Sequence, residues 1–133
     1  MAFFLAKTDP ETYSLDDLAR EGRTTWDGVR NNTALIAIRA MRPGDEVLIY
    51  HSQGQAAVVG LAEVVSEPRQ DPNDPKLWVV DFEFKGRLAR PVTLREIKET
   101  GQFNDFTLVR MSRLSTMPAP ENFVQWVKDQ QPE

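Results

Sequence analysis

Two rhythms of apolar residues divide this chain. Short apolar runs or alternation with a period of two predict strands over Phe3 to Lys7, Asp45 to Ser52, Ala56 to Val65 and Lys76 to Gly86. In the last of these, Trp78, Val80, Phe82 and Phe84 face one way while Asp81, Glu83 and Lys85 face the other. Spacings of three and four predict helices. "SLDDLAREG" has Ser14 as an N-cap with Asp17 three residues on, Leu15 and Leu18 on one face, and Gly22 as a stop. "NNTALIAIRAMRPG" brings Leu35, Ile38 and Met41 or Arg42 to one face and ends at Pro43-Gly44, with Asn31 or Asn32 as its N-cap. Thr93 to Thr100 carries a Thr93/Glu96 capping box, and "ENFVQWVKDQ" is amphipathic through Phe123, Trp126 and Val127.

Two segments lack a rhythm. "SEPRQDPNDP" is polar and proline-rich, which predicts a surface loop, and "FNDFTLVRMSRLSTMPAP" divides into a short helix and a closing strand around Leu114 to Met117. The order β-α-α-β-β-β-α-β-α, with short turns between strands, predicts an α+β fold: a small mixed or antiparallel sheet, or an open β-barrel, decorated by helices. At 133 residues, with no long linker, residues 1–133 are expected to form one domain.

Composition removes several functions. The chain has no cysteine and one histidine, so thiolate catalysis and thiolate metal sites are excluded and no metal site is expected. Neither a G-x-x-x-x-G-K phosphate loop nor a G-x-G-x-x-G turn occurs, and no cofactor is expected. The apolar run in "MAFFLAKTDPE" is interrupted by Lys7 and Asp9, which predicts a first strand, no membrane association and a cytoplasmic protein, nuclear if the source is eukaryotic. Sixteen Lys and Arg stand against 20 Asp and Glu, for a net charge of −4. That balance argues against a protein that holds duplex nucleic acid by covering its phosphates, but leaves room for a local basic patch.

One stretch stands apart. "TTWDGVRNN", Thr24 to Asn32, surrounds Trp26 with Asp27, Arg30, Asn31 and Asn32 outside any apolar period. Trp26 either plugs the core from a loop or forms a stacking wall for a flat ligand, whose edge amide and guanidinium groups can read. Trp78 and Trp126, on periodic apolar faces, are expected in the core. The lone histidine, His51, follows a strong strand; alternation puts it and Ser52 on opposite faces, wrong for a nucleophile and its base. An enzyme acting on a nucleotide or small polar substrate, using His51 with Asp27 or Tyr50, is the alternative to a binding module. A protein adaptor would instead show an exposed apolar patch on the C-terminal helix.

The ordered set "WDGVRN", "YHS" and "VRMSRLS", spread across essentially the whole chain, resembles the EVE domain, a PUA-like family related to the YTH readers of methylated adenine. The resemblance implies a PUA-like open barrel, no enzymatic activity, and a cleft that binds a modified, methylated nucleobase in DNA or RNA. It also implies the site residues. Lys7 and Thr8 stand at the cleft; Trp26 stacks on the base; Asp27, Arg30, Asn31 and Asn32 frame its edge or hold the loop. Tyr50, His51 and Ser52 come from a barrel strand, and Arg110, Ser112, Arg113 and Ser115 from the opposite side. Thr8-Asp9 where the family shows Ser-Glu, and Met111 where a polar residue is common, are departures at the cleft.

Overall fold

The computed structural model describes residues 1–132. Among these residues seven strands form one sheet. In chain order they are β1 (Phe3–Thr8), β2 (Arg23–Trp26), β3 (Glu46–His51), β4 (Ala57–Val64), β5 (Arg69–Asp71), β6 (Asp74–Thr93) and β7 (Thr116–Pro118). Among the described residues five helices decorate it: α1 (Leu15–Glu21), α2 (Asn32–Ala40), α3 (Leu94–Glu99), α4 (Thr107–Arg110) and α5 (Glu121–Asp129). The sheet order is β2-β6-β4-β3-β1-β7, with β5 paired to β6. All pairings are antiparallel except β1 with β3. This is the mixed, open, barrel-like sheet with helices that the sequence predicts.

β6 gives the sheet its curl. Its 20 residues pair first with β5, then with β2, then with β4. Register shifts in the β4–β6 ladder, between Val58 and Gly60 and between Leu61 and Ala62, add twist where the ladder is broken. At one of these shifts Gly60 is indispensable for space: a Cβ there would lie 2.7 Å from both terminal methyls of Leu15 and 2.9 Å from the Gly86 carbonyl oxygen. β3 is buried on both faces, with Val47, Leu48, Ile49 and Tyr50 all 2% exposed or less, as befits a strand with neighbours on either side.

Helix ends follow local chemistry. Ser14 and Asp17 make a reciprocal capping box on α1, Gly22 closes that helix with a positive φ of 77°, and Thr93 and Glu96 cap the start of α3 as Ser14 and Asp17 do α1. The Asn31 side-chain oxygen accepts from the backbone N–H groups of Thr33 and Ala34, so Asn31, not Asn32, caps α2. After α2, the buried Asp45 carboxylate accepts from the Ala2 and Arg42 backbone N–H groups and pins the Pro43-Gly44 turn to the N-terminus.

The structure also departs from the sequence expectations. Arg23–Trp26, expected as loop, is an edge strand on β6, and the polar "SEPRQDPNDP" segment contains β5, folded back as a hairpin. β6 runs past Gly86 to Thr93 because Arg87 and Val92 continue the ladder with β4. The C-terminal helix turns Phe123, Val124 and Val127 into the core, and Phe103 and Phe106 pack around Phe123 at ring-centroid distances of 5.1 and 4.7 Å. The apolar face an adaptor needs is therefore covered. No helix among the described residues is long and apolar enough to cross a membrane.

Replacing Gly60 with alanine should lower unfolding stability by about 1–3 kcal/mol, since the Gly86 backbone cannot step aside as Leu15 can. Urea denaturation checks this; an unchanged midpoint would show that the bulge relaxes freely.

Candidate functional site

A cavity of about 670 Å³ opens where the ends of β1 and β2 approach the loop before α1 and the loop before α2. Its size lies in the range of small-ligand pockets. Residues from four segments line it: Lys7, Thr8 and Asp9; Thr12 and Tyr13; Glu21 with Thr24 to Arg30; and Ser115.

The aromatic corner of this cavity is built by strand pairing. Trp26 lies opposite Val80 in the β2–β6 ladder, which lays its indole on Phe82 at 5.0 Å between centroids, tilted by 32°. Trp26 is therefore 92% buried, and what stays exposed borders the cavity. Tyr13 stands edge-on to it, 6.1 Å away at 80°, so the two rings meet as floor and wall. Tyr13 is held twice. Its carbonyl accepts from the Thr8 hydroxyl at 2.6 Å, and its own hydroxyl donates to the Glu21 carboxylate at 2.6 Å. Burial and that carboxylate bond push the Tyr13 phenol up to about 12, which keeps it protonated as a donor.

Polar groups surround this corner. The carboxylates of Asp9, Glu21 and Asp27 supply acceptors, while Arg30 and Lys7 supply the lining cations. Thr25 donates to Asp81, which also receives Arg69, so the outer side of β2 is fastened to β6. Lys7 lies 5.6 Å from the Tyr50 ring centroid and donates to the Ser112 carbonyl at 2.8 Å; burial lowers its pKa. The Lys7 backbone N–H donates to the Ser115 carbonyl at 2.7 Å. These two bonds tie the segment after α4 to the edge of the cavity.

Of the residues expected at the site, Lys7, Thr8, Trp26, Asp27, Arg30 and Ser115 line the cavity. The others are placed around it with different tasks. Asn31 caps α2, and Asn32 is exposed at its first turn. Tyr50 is buried beneath Lys7, and Ser52 donates through its backbone N–H and its hydroxyl to the Thr8 carbonyl. His51 Nε2 accepts from the Leu15 backbone N–H at 3.1 Å, so the imidazole holds the start of α1. Arg110, Ser112 and Arg113 are exposed on α4 and the turn after it. Tyr13, Glu21, Asp9 and Thr12 were missed by sequence reasoning. The signal available for Tyr13 was an aromatic residue just ahead of the Ser14 N-cap, in a stretch with no apolar period.

A catalytic reading of His51 meets a chemical obstacle. Its Nε2 lone pair is engaged by a helix N–H, its partner Tyr50 is 2% exposed, and it is absent from the cavity lining that contains Asp27. Among the described residues no cluster of three or more His, Asp or Glu side chains is arranged to hold a metal ion.

Residues 2–130 match the EVE domain family. Mouse thymocyte nuclear protein 1 is 32% identical over 152 aligned positions, covering 87% of this chain and 67% of the mouse protein. The NMR structure of a Rhodopseudomonas palustris protein superposes with a TM-score of 0.92 at 34% identity, over 97% of this chain and 92% of that one. The crystal structure of human THYN1 protein in complex with 5-methylcytosine-containing DNA superposes with a TM-score of 0.87 at 26% identity, over 99% and 100% of the two chains.

The His51 contact has a pH signature. Burial lowers the imidazole pKa below its ordinary 6.5, against the opposing pull of Asp16, because the charged form is poorly solvated. The unfolded chain then takes up this proton more readily than the folded one. The stability conferred by neutral His51 is complete above pH 6.5 and falls as pH drops toward the folded pKa. Urea unfolding between pH 7 and 5 should show that decline, and His51→Gln, which keeps an acceptor for Leu15 without titrating, should flatten it. Parallel pH profiles for the two proteins would rule out the role given to His51.

Proposed function

The chain belongs to the EVE domain family, and from that membership we propose that it is a nucleic-acid-binding module that seats a methylated nucleobase in the Trp26–Tyr13 cavity. The observation that carries this reading is the aromatic corner itself. Two rings at 80° and 6.1 Å, in a cavity of about 670 Å³, give a flat methylated ring one face to stack on and one edge to pack against. The fold around them matches, across 99% of this chain, that of human THYN1 in complex with 5-methylcytosine-containing DNA.

The polar lining fits a base better than a phosphate. Asp9, Glu21 and Asp27 would repel an anion, whereas a carboxylate accepts well from the exocyclic amine of cytosine or adenine. Arg30 can donate to ring or carbonyl acceptors on the same edge. A base seated here must leave its stack, and a damaged, mismatched or unpaired one does so at the smallest cost.

We read the domain as a binding module without catalytic activity, because its only histidine is committed to capping α1. Such a module belongs where nucleic acid is, in the cytoplasm of a bacterium or the nucleus of a eukaryotic cell.

Fluorescence-polarisation titrations with oligonucleotides that differ only in one methyl group test this function. Strands carrying 5-methylcytosine should bind more tightly than the unmodified strand. Tyr13→Ala should weaken binding of the methylated strand by about 1–3 kcal/mol, the usual worth of one stacking contact, while Trp26→Phe should retain the fold and part of the affinity. Equal affinity for methylated and plain strands, unaltered by Tyr13→Ala, would remove the proposal.

A further inference from the structure

Most arginines of this acidic chain are neutralised. Arg20, Arg23, Arg42, Arg69, Arg87, Arg90 and Arg95 each face a carboxylate, and Arg39 lies over the Trp78 ring at 5.0 Å. Among the described residues only Arg30, Arg110 and Arg113 have neither a carboxylate nor an aromatic ring as partner. Arg30 lines the cavity. Arg110 and Arg113 flank a turn whose centre is tied to the cavity edge by the Lys7–Ser112 bond and whose far end, Ser115, lines the cavity. Exposed guanidinium groups left unpaired beside a cavity with acidic walls are placed for an anion outside the cavity, not within it.

Between the two arginines stands Met111. It is 46% exposed, one of three exposed large apolar side chains among the described residues, the others being Met1 and Ile36 on the outer face of α2. Its backbone is held firmly: its N–H donates to the Thr107 carbonyl and its carbonyl accepts from Leu114. An apolar side chain held out into solvent between two cations matches the wedges that enter a duplex between base steps.

We propose that the Arg110–Arg113 turn is a duplex-opening finger. Met111 enters the stack vacated by the everted nucleotide, and Arg110 and Arg113 hold the phosphates on either side. The finger rests on the base-seating function proposed above but assigns it a duplex substrate. It also divides labour: the cavity supplies preference for the modified base, and the finger supplies affinity for paired strands irrespective of the modification. Phosphate contacts of this kind release counterions, so each contributes to the salt dependence of binding.

The test uses one methylated strand, presented alone and in a duplex, with 2-aminopurine beside the methylated base. Met111→Ser, a substitution at the surface, should weaken duplex binding on the order of tenfold and abolish the rise in 2-aminopurine fluorescence, while single-strand binding is kept. The double variant Arg110→Ala/Arg113→Ala should lower affinity for methylated and plain duplexes alike and reduce the slope of log K against log salt by about 2. Equal loss on duplex and single strand with Met111→Ser, or an unchanged salt slope in the double variant, would overturn the finger. The preference for the methylated single strand is read in the same titrations. Its survival would leave the cavity's function standing, and its absence in the unsubstituted protein would remove the cavity and the finger together.

Discussion

The contact between Trp26 and Phe82 is the constraint on which the site depends. Phe82 has no exposure and sits in the middle of the longest strand, so its position is set by the whole sheet. Laying the indole on it at 5.0 Å requires β2 to pair with β6, because only that ladder brings Trp26 opposite Val80. Pairing in turn fixes where the chain goes next. It leaves β2 at Asp27 and turns at Gly28, whose positive φ of 73° suits glycine. It then reaches Asn31, which caps α2. Asp27 and Arg30 are thus presented to the cavity by a loop anchored at both ends, one by a buried ring and the other by a helix cap. Such anchoring of the backbone suits recognition, since less loop freedom remains to be lost on binding.

The opposite wall obeys the same logic with different chemistry. Thr8, at the end of the parallel pair β1–β3, donates to the Tyr13 carbonyl, and His51, at the end of β3, accepts from the first N–H of α1. Tyr13 lies between these two anchors and is further held by Glu21 from the last turn of the same helix. His51 and Ser52 therefore serve the site by positioning, through α1 and Thr8, without bordering the cavity. A reader looking for catalysis would fasten on the only histidine; the hydrogen-bond ledger gives it to the backbone.

Much of the fold is readable from local chemistry. Capping residues Ser14, Thr93 and the Asn31-Asn32 pair mark three helix starts, and the runs around Val47 and Val58 mark the central strands, because those features depend on near neighbours. Arg23–Trp26 escapes such reading. Four residues with burial only at Trp26 have too little period to detect, and they become a strand solely because β6 offers an edge. The same cause divides the site. Trp26, Asp27 and Arg30 stand out in sequence as polar chemistry around an indole. Tyr13 and Glu21 do not, because their partnership with Trp26 exists only after α1 folds across the ends of β1 and β2. Of the two places the sequence left open for Trp26, core plug and stacking wall, the structure shows the burial directly: the ring is packed on Phe82, with one margin bordering the cavity.

Charge is arranged by the same economy. Seven arginines are spent on carboxylates across the sheet and helices, while the cavity keeps acceptors inside and uncompensated guanidinium groups at its border. A net charge of −4 is thus compatible with a nucleic-acid ligand held at one place instead of along a broad face. The most direct test follows the three indole N–H resonances of ¹⁵N-labelled protein as an oligonucleotide with one 5-methylcytosine is added. The Trp26 resonance should move and saturate with the ligand while Trp78 and Trp126 stay in place. Movement of Trp78 or Trp126 with Trp26 unmoved would put the ligand elsewhere and contradict the account.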